Sequence, residues 1–136
     1  MKQTAIIVLL SIVFFSCNEK SEKRPINALD TGREFIRATL DGDYKTAETL
    51  LYKDSVNIQL FDAYERSYET MSAEKKTGYK KADIIVNNLD DANDTINIIN
   101  YSNSFMKQPT KLKLVKKDNA WHIDFKYTTG DSTSTK

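Results

Sequence analysis

Cysteine and histidine each occur once in this chain, as Cys17 and His122, and proline only twice. A single cysteine forms no internal disulfide, so a folded core has to hold by burial alone. One histidine, with no free thiol to join it, leaves a zinc set of the usual kind incomplete. An excess of either charge is also lacking: 20 basic residues stand against 19 acidic ones. That balance argues against a nucleic-acid footprint and against electrostatic docking on anionic lipid. A long apolar run is missing as well. The run at 5–15 is interrupted only by Ser11, and it falls short of the roughly 20 residues that span a bilayer. Hydrophobic residues nevertheless make up 40% of the chain, too many for a chain disordered throughout.

The short apolar run has another use. Lys2 gives it a positive start, Phe14-Phe15-Ser16-Cys17 closes it, and the chain turns polar at once with Asn18-Glu19-Lys20. A positive start and an apolar segment of this length form the pattern of a secretory signal, and no A-x-A-like cleavage site stands here. With Ser16 directly before the cysteine, the segment resembles a bacterial lipoprotein signal. The resemblance implies cleavage between Ser16 and Cys17 and lipidation of Cys17, which removes the anomaly of an unpaired thiol in an oxidising compartment. It also implies two or more acyl chains, enough for stable anchoring where one is marginal. The expectation is an exported protein, lipid-anchored in the bacterial cell envelope at the outer membrane, on its periplasmic or surface face. Residues 1–16 are then the signal peptide. Residues 17–27 are the lipidated cysteine and a flexible, charged tether holding Pro25.

Helical spacing of apolar residues begins at Ala28. Leu29, Gly32, Phe35, Ile36, Thr39 and Leu40 form one stripe, ended by Gly42 as a left-handed C-cap, with Asp43 as the next N-cap. A short helix is expected from Tyr44 to about Tyr52. A longer one, capped by Asp54 or Ser55, runs to about Met71 and carries Leu60, Phe61, Tyr64 and Tyr68 on its stripe. Residues 72–81 read as a polar break. The period then becomes strand-like: 82–89 and 95–102 form strands about an Asp/Asn-rich turn, and 110–116 and 120–127 form a tight hairpin about Lys117-Asp118-Asn119. In the last strand Trp121, Ile123, Phe125 and Tyr127 face one way, with His122, Asp124 and Lys126 facing the other. Residues 28–127 therefore form one domain, and 128–136 are expected to be a disordered tail. Helices first and strands after predict an α+β fold, its N-terminal helices packed on a bent antiparallel sheet of about four strands.

Phe35-Ile36-x-Ala38-x-Leu40, Gly42-Asp43-Tyr44-x-x-Ala47 and the closing Leu112-x-Leu114-Val115 with Trp121-x-Ile123-Asp124 resemble the nuclear-transport-factor-2-like superfamily. Within it, the chain is similar to small bacterial lipoproteins of uncharacterised function. The resemblance implies a cone in which the sheet wraps the helices, with a pocket at the wide end. Several members work by tyrosine and carboxylate chemistry of the ketosteroid-isomerase kind.

Candidate pocket residues are Tyr64, Tyr68, Tyr101, Trp121 and Tyr127, each of which could equally pack the core with its polar tip at the wet rim. A carboxylate partner is hard to place: Glu65 and Glu69 only flank the stripe. His122 and Asp124 share a strand face opposite the apolar one, so they are expected in solvent rather than on a metal or in a triad. No catalytic residue, metal ligand or cofactor site is assigned. The first two strands are apolar on both faces, which implies either a bulge near Asn87-Asn88 or a sheet-face contact with a protein partner or a second copy. Ser55, Thr95 and Ser132 each sit in an Asp-Ser/Thr-containing tripeptide resembling a bacterial O-glycosylation motif, with Asp54 and Ser55 rival candidates for a helix cap. The expected function is a non-catalytic binding domain on a lipid anchor. The alternatives are a lyase or isomerase with a Tyr/carboxylate pocket, and an accessory subunit of an envelope complex.

Overall fold

The computed structural model describes residues 27–130; the signal at Ser16 and Cys17, most of the tether and Ser132 lie outside them. The fold is α+β, with helices N-terminal to a four-stranded antiparallel sheet of order β1-β2-β3-β4. Helix α1 (Ala28–Asp41) begins at Asn27, whose side chain accepts from the N–H of Asp30. Asn27, expected as the end of the tether, is thus the N-cap. The helix ends at Gly42, whose φ of 78° suits a residue without a Cβ. Its buried stripe includes Gly32, Phe35, Ile36, Thr39 and Leu40, as the spacing predicts. Asp43 caps α2 (Tyr44–Thr49), and Asp54 caps α3 (Ser55–Glu69) by accepting from the N–H groups of Val56 and Asn57.

Two elements depart from the sequence reading. The polar break folds as α4 (Ala73–Lys80), capped by Ser72, with no residue fully buried. Arg37 of α1 holds it in place: its guanidinium donates to the carbonyls of Tyr79, Lys80 and Ala82 and pairs with Asp41 at 2.8 Å. A helix secured by hydrogen bonds to its last carbonyls leaves no apolar stripe to read. The last strand is also shorter than expected. Strands β1 (Ile84–Asn93), β2 (Ile96–Asn103), β3 (Thr110–Lys117) and β4 (Ala120–Ile123) form the meander, and the chain then turns into α5 (Phe125–Gly130). The first three residues of the expected tail therefore belong to a helix.

A polar residue makes that exit. Asn57, wholly buried on α3, accepts from the backbone N–H of Lys126 at 2.8 Å and donates to the Tyr52 carbonyl. The chain is drawn off the sheet toward α3, and Phe125 turns inward. There it meets Phe61 edge-on with ring centroids 5.4 Å apart, and Phe35 at 6.1 Å. These rings join Ile36, Leu51, Ile99, Leu112, Leu114 and Ile123 in one core. The β3–β4 hairpin turns through Asp118 and Asn119, both at positive φ, the pair of conformations that matches strand twist in a two-residue loop. The outer edge of β4 is covered, since Ile123 exchanges backbone hydrogen bonds with Leu50 and Tyr52.

Strand β1 resolves the two-faced apolar pattern in part. The register shifts between Val86 and Asn88, a bulge that moves Leu89 onto the face of Ile84 and Val86. Ile85 stays on the outer face, 45% exposed, in the company of half-buried Ile96, Ile98 and Val115.

Candidate functional site

A cavity of about 390 Å³ opens between the C-terminal half of α1 and the far end of the sheet. That is within the range of small-molecule sites, roughly 300–1,000 Å³. Every layer contributes a wall. Phe35, Thr39 and Leu40 come from α1, Tyr64 from α3 and Tyr79 from α4. The sheet supplies Tyr101 and Asn103 from β2 and Thr110 from β3, with Tyr101 and Thr110 direct cross-strand partners. Met106 and Gln108 come from the 104–109 connection, and Phe125 and Thr128 from α5.

The walls are braced from behind. Asn103 accepts from the N–H groups of Phe105 and Met106, which fixes the start of the connection. Phe105 lies edge-on to Tyr79 at 5.4 Å and against Gly78, where a Cβ would come within 2.4 Å of its ring. The missing Cβ at Gly78 leaves room for that close approach, and its φ is not positive.

Three phenols face this space. Burial, and then the proximity of Tyr64 and Tyr79, push the Tyr101 hydroxyl well above the ordinary tyrosine range. Burial and Tyr79 push Tyr64 up to about 12. Burial also raises Tyr79. Tyr64 is nevertheless 42% exposed as a residue, so part of it stands at the mouth. The Thr128 hydroxyl is buried and has no hydrogen-bond partner in the structure. None of the described lining side chains carries a charge at neutral pH. The arrangement can donate hydrogen bonds into an apolar, neutral space.

Of the four tyrosines and one tryptophan named from sequence, Tyr64 and Tyr101 both line this cavity and the other three do not. Tyr68 stacks on Tyr44 at 5.2 Å, its hydroxyl against Gly42, and both hydroxyls are buried without partners. Trp121 sits beyond the opposite end of α1, beside Asn27, Leu29 and Leu89 in a shallow groove. Tyr127 takes the Lys113 ammonium 5.5 Å from its ring centroid. Tyr79 was missed because its segment reads as a loop. Asn103 and Gln108 flank a turn, where polar residues carry no signal of a pocket.

His122 lies on the outer face of β4 opposite Val115. Asp124 is only 14% exposed, and is paired with Lys113 at 3.3 Å and Lys126 at 3.7 Å. The expectation of a solvent-facing Asp124 is corrected: the turn into α5 folds it under two ammonium groups. Among the described residues no group of three or more His, Cys, Asp or Glu could hold a metal. Ser55 is exposed in the first turn of α3, where Asp54 is the cap, and Thr95 is exposed in the β1–β2 turn with its hydroxyl on Asn93.

No protein-family model, curated protein or solved structure matches this chain. Among the described residues no helix is long and apolar enough to cross a membrane.

Proposed function

We propose that the chain is an exported protein, lipid-anchored through Cys17 in the bacterial cell envelope, whose domain is a nuclear-transport-factor-2-like cone that binds a small molecule without converting it. The cavity bounded by Tyr64, Tyr79 and Tyr101 carries this reading. Its size suits a ligand, and its walls combine apolar rings with a few convergent polar groups, the usual make-up of a binding site. The cone is supported by the order of elements, helices before a four-stranded meander, and by the position of the cavity at one end of the sheet. The lining also favours binding over an isomerase or lyase. Tyr/carboxylate chemistry needs an ionised carboxylate beside the phenol, and the described lining residues include neither Asp nor Glu.

The reading as an accessory subunit draws on one feature of its own. Strand β1 is an open edge bearing Ile85 and Leu89, 45% and 38% exposed, and such edges invite pairing with another chain. A co-purifying protein in mild detergent is its mark.

Two measurements test the main reading. Cys17→Ser should release the protein from membranes and stop trimming between residues 16 and 17, read by fractionation and intact mass. Native mass spectrometry of the full chain from its own host should show a small molecule bound, lost when Tyr64 and Tyr101 are both changed to Phe. Membrane retention of the serine variant contradicts the anchor, and a ligand-free spectrum with unchanged behaviour of the double variant contradicts the binding site.

A further inference from the structure

We infer that the cavity selects an uncharged ligand: an apolar, ring-sized body carrying an oxygen acceptor that the hydroxyls of Tyr64, Tyr79 and Tyr101 grip together. This rests on the binding reading above and specifies what is bound.

The walls exclude charge. Among the described lining residues an anion meets no Lys, Arg or His, and a cation meets no Asp or Glu. Either would give up its water for neutral surroundings, a loss that neutral hydrogen bonds do not make good. Aromatic walls can hold a cation by their ring faces, but four of the five lining rings already pack on other rings, Tyr101 being the exception. Tyr64 lies against Phe125 at 5.5 Å and Tyr44 at 5.9 Å, and Phe35 and Phe125 pack on each other and on Phe61. Tyr79 is taken up by Phe105.

The donors are also uncommitted. Among the described residues none of the Tyr64, Tyr79 and Tyr101 hydroxyls has a hydrogen-bond partner, and the buried Thr128 hydroxyl has none either. A hydroxyl that lines a neutral cavity without a protein partner is open to an acceptor on a bound molecule. A ketone, ester, ether or amide oxygen within reach of the phenols that line the cavity supplies it. The apolar body then lies against Leu40, Met106 and Phe125.

The test uses the full-length chain in lipid nanodiscs, with equilibrium dialysis against four probes sharing one body: naphthalene, acetylnaphthalene, naphthoate and naphthyltrimethylammonium. Protein-free nanodiscs give the reference. Acetylnaphthalene should bind about tenfold or more tighter than either charged probe, and tighter than naphthalene. Changing Tyr64 and Tyr101 together to Phe should lower its affinity roughly fivefold while leaving naphthalene within about twofold, since only the hydroxyls are removed. Equal binding of naphthoate or of the ammonium probe by the unaltered protein overturns the inference, whatever the variants do. If naphthalene binds and the head group makes no difference, the neutral-acceptor inference fails and the binding reading stands. If no probe binds at all, both fall.

Discussion

The backbone N–H of Lys126 donates to Oδ1 of Asn57 at 2.8 Å, across 69 residues of sequence, and Asn57 has no exposed surface. The same side chain donates to the Tyr52 carbonyl and to the Asp54 carboxylate. One amide thus joins the loop before α3, its N-terminus and the start of α5. Asn57→Ala should cost about 2–4 kcal/mol, because it strands a partly buried N–H and a carbonyl as well as leaving a void. Urea unfolding of the variant checks this. Because α5 carries Phe125 and Thr128 into the cavity wall, probe affinity should fall in the same variant.

The ion pair beside it sets part of the acid response. The Lys126 ammonium, 2.7 Å from Asp54 Oδ2, and the N–H groups of Asn57 and Val56 hold the Asp54 carboxyl below the usual carboxylate range. Thr46 lowers Asp43 in the same way at the start of α2. A carboxyl depressed in the folded state contributes stability that is fully present above its unfolded pKa, roughly 4, and is lost as pH falls through the folded value. Stability should therefore decline below about pH 4. The decline should be shallower in Asp54→Asn, measured as urea midpoints from pH 5 downward. An unchanged slope would remove Asp54 from the account.

Two glycines at close approaches should behave oppositely. A Cβ at Gly32 would lie 2.3 Å from Cδ1 of Ile99, a residue with no exposed surface in the packed core. Gly32→Ala should destabilise by about 1–3 kcal/mol through overpacking. At Gly78 the obstacle is the far end of the Phe105 ring, which is 44% exposed and can swing away. Gly78→Ala also gains helix propensity, up to about 1 kcal/mol. Its stability should stay within roughly 1 kcal/mol of the parent. Probe binding should weaken, because the 104–109 wall has lost its seat. Thermal unfolding and dialysis separate the two effects.

Arg37 positions Tyr79 from a distance. Its fork reaches three carbonyls at the end of α4 while pairing with Asp41. Arg37→Lys keeps the charge but not the fork. Amide exchange over 77–82 should accelerate in that variant, with the exchange of α1 and β3 unchanged. Equal acceleration everywhere would mean global destabilisation and no local role.

The sequence announced those parts of the fold that rest on repeated apolar spacing or on turn chemistry. The α1 stripe, the Gly42 and Asp43 caps and the Asp118-Asn119 hairpin are of this kind. What it concealed rests on single polar contacts between distant residues. No periodicity marks α4, since it buries nothing and is held by one arginine, although Ser72 with Glu74 two residues on is a start signal that could have been used. Phe125 and Tyr127 continue a perfect strand alternation, and only Asn57, far away, turns them into a helix. The bulge at Asn87 was legible as an inconsistency, with apolar residues on both faces of β1. One phenol of the three was hidden for the same reason as α4: Tyr79 sits on the helix that the pattern did not show, whereas Tyr64 lay on a visible stripe and Tyr101 in a visible strand.

The most direct test of the central claim is a titration of the full chain, carrying ¹³C at the tyrosine rings, with acetylnaphthalene, followed by the ring resonances of its tyrosines. The account predicts saturable shifts at Tyr64, Tyr79 and Tyr101 with one common affinity, while Tyr52 and Tyr127, which lie outside the cavity, stay still. Shifts confined to Tyr52 and Tyr127, or none that saturate, would contradict it.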